Sequence, residues 1–168
     1  MDFIIDPKFI LYETHYWRVN HRVDTGFPGY LMLAPKDPNA TAIDALPSEG
    51  ISELGRVLAK TLRVLDEALH PERTYVNRYN HTPGFNIHFH IIPLYTWVKD
   101  LFLRDMRYQT LRQFYNPQFG TDPDGHDLTL YIVREFCENP HPPKPPGMTV
   151  EEILPLLQNR MNAPDHGQ

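Results

Sequence analysis

The chain has 168 residues, a formal net charge of −5 and a single cysteine, Cys137; one domain of this length buries a core without help, and one thiol excludes an intramolecular disulfide framework or a Cys-rich metal site. With no run of Lys or Arg it lacks a sequence-independent grip on polynucleotide phosphates, so no nucleic acid polymer is expected as a partner, while a small anion in a locally positive pocket stays open. No segment approaches the ~18 apolar residues of a membrane span and the start has no basic n-region, so a soluble cytoplasmic protein with no membrane partner is expected.

Ile10-Leu11-Tyr12 and Tyr16-Trp17-Arg18-Val19-Asn20 read as two short strands joined by a hairpin turn, because aromatic and β-branched residues argue against helix. The turn cluster from Asp24 to Gly29 feeds Tyr30-Leu31-Met32-Leu33-Ala34-Pro35, an apolar run of strand length. Beyond a loop, Ser48 stands as an N-cap, and Ile51, Leu54, Leu58, Leu62, Leu65 and Leu69 repeat at helical spacing until His70-Pro71 ends the helix. Residues 75–79 predict a fourth strand and residues 85–92 a fifth, separated by the turn from Asn80 to Gly84. Hairpin-length connections around one long helix predict an α+β fold with a five-stranded antiparallel sheet and the helix packed on it.

After residue 97 the texture changes. Val98 to Phe114 has helical periodicity; Leu128, Tyr131, Ile132, Glu135 and Phe136 favour another helix, although alternation at Thr129, Tyr131 and Val133 also allows a strand. Residues 139–147 are a proline-rich linker, and Thr149-Val150-Glu151-Glu152 is a capping box for a last short helix to about Arg160. The expected organisation is a core over 1–97 and a mainly helical extension over 98–168, packed on the same domain. No internal repeat is evident.

Asn86-Ile87-His88-Phe89-His90-Ile91-Ile92-Pro93 carries most of the chemistry. In an extended strand His88 and His90 project from one face while Phe89 and Ile91 project from the other. A solvated sheet face would accommodate two histidines, but so would a site built on paired imidazoles. A neutral imidazole nitrogen can attack phosphorus to form a covalent phosphoramidate, and a second imidazole on the same face can donate to an oxygen on which charge develops.

Pro28-Gly29-Tyr30-Leu31-Met32-Leu33-Ala34-Pro35-Lys36, the long helix, Asn77, Gly84 and the histidine segment together resemble the histidine triad family, whose motif is His-φ-His-φ-His-φ-φ with φ apolar, commonly followed by Pro. The resemblance covers roughly residues 8–95. It implies a histidine-triad-like sheet-and-helix core, a homodimer, no cofactor and no metal. It also implies a nucleotide phosphohydrolase or nucleotidyl transferase working through a covalent nucleotidyl-histidine on a nucleoside phosphoramidate, a dinucleoside polyphosphate or a similar small-molecule substrate. His88 falls on the nucleophile, His90 on the third histidine and Asn86 on the first, making these the candidate catalytic residues; Asn20, Asn77 and Gly84 are the candidate substrate-binding residues.

Three features depart from the family pattern: Asn86 replaces the first histidine, Tyr30 stands after Pro-Gly where the family usually has histidine, and Pro93 is followed by Leu94-Tyr95 rather than the frequent Arg. Asn86 cannot shuttle a proton but can orient the neighbouring imidazole by hydrogen bonding. Two alternatives stay open: a nucleotide-binding protein that has lost turnover, and a metal enzyme using His88, His90 and a third ligand such as His81 or His15. Tyr12, Tyr16 and Trp17 either stack on a base or belong to the core.

Overall fold

The computed structural model describes residues 4–79, 85–110 and 122–164. Strands β1 (Ile10–Glu13), β2 (Trp17–His21), β3 (Leu31–Pro35), β4 (Arg73–Asn77) and β5 (Phe89–Leu94) form one antiparallel sheet in the order β1-β2-β3-β5-β4. Helix α1 (Ser48–Leu69) connects β3 to β4 and leaves β5 to insert between them. The fold is α+β, as the order of sequence patterns implies.

Helix α1 begins one residue earlier than the Ser48 cap predicts, with Pro47 as the N-cap residue. It ends at His70, which takes the left-handed conformation at φ 46° and returns its N–H to the Asp66 carbonyl. The apolar stripe of α1 lands on the face of the sheet that carries Trp17, Val19, Leu33 and Ile91. Trp17 is fully buried there, and its Nε1–H donates to the Gly50 carbonyl at 2.8 Å. Tyr12 and Tyr16 pack against this same cluster, so the three aromatics are core on the α1 side rather than a base pocket on the histidine side.

The extension supplies the rest of both layers. Helix α5 (Val150–Asn162) starts at the expected capping box, with Thr149 accepting from the Glu152 N–H and the Glu152 carboxylate accepting from the Thr149 N–H. Its buried stripe of Ile153, Leu157 and Met161 joins the α1 cluster. Side-chain amides then staple it to the edge strand: Gln158 donates to the Ile10 carbonyl at 2.9 Å and Asn162 to the Leu11 carbonyl at 2.9 Å. The opposite face of the sheet, with Ile92 and Leu94, is covered by α2 (Thr96–Arg104), α4 (Gly125–Ile132) and a π-helical turn over Val133–Glu138.

Boundaries differ from the sequence reading in several places; the fourth strand, expected over 75–79, runs over Arg73–Asn77. The fifth strand begins at Phe89, not at residue 85, because the preceding backbone bonds elsewhere: the Ile87 N–H donates to the Ala40 carbonyl at 2.7 Å. The helix expected from Val98 to Phe114 breaks at Asp105, whose carboxylate caps α3 (Met106–Gln109) through the Arg107 N–H, a local bond that competes with continuing the helix; Leu111 and Phe114 lie outside the described residues. Residues 125–138 are helical rather than extended, so the apolar stripe prevails over the alternation.

Two glycines test this packing with opposite signs. A Cβ on Gly125 would collide with the Tyr75 ring, so α4 sits on β4 only because that position is bare; Gly55, on the exposed side of α1, has nothing within 4 Å. Gly125→Ala should lower stability by about 1–3 kcal/mol through overpacking. Gly55→Ala should raise it by about 0.5–1 kcal/mol by removing backbone freedom from the unfolded chain. Urea midpoints for the two variants, read against wild type, check both directions.

Candidate active site

Cross-strand register assembles the site. Asn20 on β2 pairs with Met32 on β3, Met32 with His90 on β5, and His90 with Asn77 on β4. Directly opposed residues of an antiparallel sheet share a face, so Asn20, Met32, His90 and Asn77 form one row on the side opposite α1. Of the residues expected at the site, the row gathers His90, Asn20 and Asn77. Asn20 is buried and its amide donates to the His21 carbonyl at 2.8 Å; the Asn77 amide donates to the Tyr79 hydroxyl at 3.0 Å. Gly84 lies outside the described residues, as do Asn80 and His81.

His88 precedes the first ladder residue of β5 and is half-buried. Its ring centroid stands 5.1 Å from that of His90, with the planes inclined at 61°. The His88 Nδ1 lies 2.9 Å from the Asn86 carbonyl oxygen. A carbonyl only accepts, so the proton of the neutral ring sits on Nδ1 and the Nε2 lone pair is free. The expected side-chain contact from Asn86 to His88 is replaced by this main-chain one. The Asn86 amide instead donates to the Pro35 carbonyl at 2.7 Å and the Asp37 carbonyl at 3.4 Å, tying the histidine segment to the end of β3.

His90 is buried between two tyrosines. The Tyr30 hydroxyl lies 2.9 Å from His90 Nδ1, and the Tyr79 ring sits 5.0 Å away, inclined at 60°. Burial first, and then the neighbouring His88 and the Arg22 charge, push the His90 imidazolium down to a pKa of about 3, so the ring is neutral in ordinary buffers. Arg22 reaches the Tyr30 hydroxyl at 3.1 Å and grips Asp24 with two hydrogen bonds, of 2.6 and 3.0 Å. Burial raises the Tyr30 phenol well above its ordinary value and keeps it protonated.

The extension builds one wall. The Tyr79 hydroxyl donates to Thr129 Oγ1 of α4 at 3.0 Å, and Thr25 Oγ1 donates to the Phe136 carbonyl of the π-helical turn at 2.8 Å. Sequence reasoning treated Tyr30 only as a departure and assigned Arg22, Asp24, Tyr79 and Thr129 no part. Arg22 and Asp24 stand two residues apart just before the Pro28-Gly29 turn, a faint signal of an ion pair; nothing in the sequence places Thr129 beside Tyr79. Among the described residues no third histidine, cysteine or carboxylate joins His88 and His90 in a group able to hold a metal ion, and His15 packs edge-on against Tyr16.

No family model matches the sequence, and no curated protein matches it. Solved structures do. The diadenosine triphosphate hydrolase of Plasmodium falciparum is 13% identical with a TM-score of 0.53, the match covering 94% of this chain and 79% of that one. A zinc-bound histidine triad family protein from Mycobacterium smegmatis is 16% identical with a TM-score of 0.51, covering 93% of this chain and 85% of that one. A hypothetical histidine triad nucleotide-binding protein from Sulfolobus tokodaii is 12% identical with a TM-score of 0.50, covering 91% and 83%. Identities this low speak for the backbone alone, and that backbone, with β5 between β3 and β4, is the histidine triad fold.

Proposed function

We propose that the protein is a nucleotide phosphohydrolase or nucleotidyl transferase in which His88 is transiently nucleotidylated. The observation that carries this reading is the 2.9 Å contact of His88 Nδ1 with the Asn86 carbonyl, which leaves Nε2 as a lone-pair nitrogen beside a second, neutral imidazole. In the first step the Nε2 lone pair attacks the α-phosphorus, the N–P bond forms, and the bond from phosphorus to the leaving oxygen or nitrogen breaks with its electron pair. His90 donates a hydrogen bond to the oxygen on which charge builds. The departing oxygen or nitrogen takes its proton from solvent. In the second step water or an acceptor hydroxyl attacks phosphorus with loss of its proton to solvent, or an acceptor phosphate attacks through its oxyanion. The N–P electron pair returns to Nε2, and the nucleotide leaves with His88 restored as the neutral ring. The substrate class is a nucleoside phosphoramidate or a dinucleoside polyphosphate, the latter in keeping with the hydrolase of Plasmodium falciparum that shares the backbone. A homodimer belongs to the same proposal.

His88→Ala should abolish turnover of adenosine phosphoramidate and diadenosine polyphosphates while leaving the thermal midpoint near wild type. Activity within about tenfold of wild type, ~1.4 kcal/mol of barrier, would exclude His88 as the nucleophile. Protein denatured at alkaline pH, where the histidine N–P bond survives, should carry one nucleotidyl group by intact mass in the wild type and none in His88→Ala. A wild type that binds nucleotide but turns over no member of the panel would favour the non-catalytic reading. Because the chemistry draws on His88 and His90 alone, EDTA should leave the rate unchanged, and a rate that collapses on chelation would point to the metal enzyme.

Asn86 should matter less than His88. Asn86→Ala keeps the main-chain carbonyl that orients His88 and loses only the amide bonds to Pro35 and Asp37. The expected outcome is a fall in kcat of about tenfold or less, in keeping with the ~0.5–1.5 kcal/mol of a typical intramolecular hydrogen bond. A loss as large as that of His88→Ala, in a folded protein, would show that the side chain takes part directly.

A further inference from the structure

Tyr30 is fully buried, yet its hydroxyl has two polar partners, and only one assignment of protons satisfies both. The Arg22 guanidinium can only donate, so the Tyr30 oxygen accepts from Nη1 and its own single proton remains for His90 Nδ1. The reverse tautomer, with His90 Nδ1–H donating to Tyr30, would leave a buried O–H with no acceptor, at a cost of about 1–3 kcal/mol. We propose that Tyr30, with its proton aimed by Arg22, is a positioning residue that locks His90 in the Nε2–H form, so that His90 meets substrate as a fixed donor beside the Nε2 lone pair of His88.

The lever is held rigidly. Arg22 packs its guanidinium 5.0 Å from the centre of the Tyr30 ring and is clamped by Asp24 on its other side. Burial works against the charge on Arg22, and the Asp24 hydrogen bond more than restores it. The turn that carries Asp24 is tied to the extension by Thr25, whose hydroxyl accepts from the Phe27 N–H at 3.1 Å and donates to Phe136. The groups facing His90 are therefore Tyr30 just before β3, Arg22 and Asp24 beyond β2, Tyr79 beyond β4, and His88 before β5. The two rings of the site are set in complementary forms by different means: a main-chain carbonyl fixes His88 with Nδ1 protonated, and a phenol fixes His90 with Nε2 protonated.

The proposal rests on the catalytic reading for its consequence but not for its test. Long-range ¹H–¹⁵N spectra of ¹⁵N-histidine-labelled protein distinguish a protonated from a bare ring nitrogen, and the His90 signals are identified by their loss in His90→Gln. In wild type, His90 should appear as the Nε2–H tautomer and stay unchanged from about pH 5 to 8, the interval in which an ordinary histidine titrates. In Tyr30→Phe, which removes one oxygen and keeps the ring, His90 should become a tautomer mixture, and kcat should fall about ten- to a hundredfold with KM within about twofold. A wild-type His90 seen as Nδ1–H overturns the proposal without recourse to any variant, and so does a Tyr30→Phe spectrum identical to wild type. Should no substrate of the panel be turned over while the spectra behave as stated, the catalytic reading fails and the tautomer lock stands.

Discussion

The register of β5 between β3 and β4 is the constraint on which the site depends. Side chains alternate along a strand, so a slip of one residue would turn His90 into the cluster under α1 and expose Ile91 in its place. Pairing on both edges forbids that slip: Met32 and Asn77 flank His90, while Leu31 and Val76 flank Ile91. Ile91 and Ile92, both fully buried, then hold the strand from opposite faces. The position of His90 is thus set by apolar neighbours in the same strand.

Covering the second face of the sheet changes the character of the histidine pair. An imidazole on a solvated face would titrate in the usual range, whereas His90, packed against Tyr30 and against Tyr79, which is itself tied to α4 through Thr129, is held neutral by desolvation above all. The extension is in turn pinned by a buried carboxylate. Burial alone would raise the Glu135 pKa, but hydrogen bonds from Arg107, Tyr108 and Asn139 outweigh it and keep the group ionised. Removing one partner of such a cluster is costlier than never having built it, because the remaining charge stays buried. The π-helical turn that carries Glu135 also presents the Phe136 carbonyl to Thr25, which places the turn holding Asp24 and Arg22 under the control of the extension.

Asn86 illustrates how a main-chain atom can take over the orienting contact expected of a side chain. The contact that orients His88 comes from the main chain, which every residue possesses. The side chain at this position serves instead to fasten a segment that has left the sheet, and an amide suits that task because it can donate to two carbonyls at once. Tyr30 is the complementary case, a residue outside the motif whose hydroxyl lies in direct contact with a motif histidine.

What the sequence determined by itself was the local and the periodic: the stripe of α1, the capping box at Thr149, the strand-length apolar runs, and a histidine pair spaced to share a face. These are legible because each depends on neighbours within a turn of helix or a pleat of strand. The row of Asn20, Met32, His90 and Asn77 depends on pairing across four strands, and the start of β5 at Phe89 depends on Ala40 and Pro35, some fifty residues away in the chain. The aromatic residues 12, 16 and 17 were ambiguous for the same reason, since a strand pattern gives two faces but not which of them a helix will cover. The protonation pattern of the two imidazoles was decided only in the folded state. It follows from which carbonyl and which phenol stand within 3 Å of each ring and, for His90, from its burial.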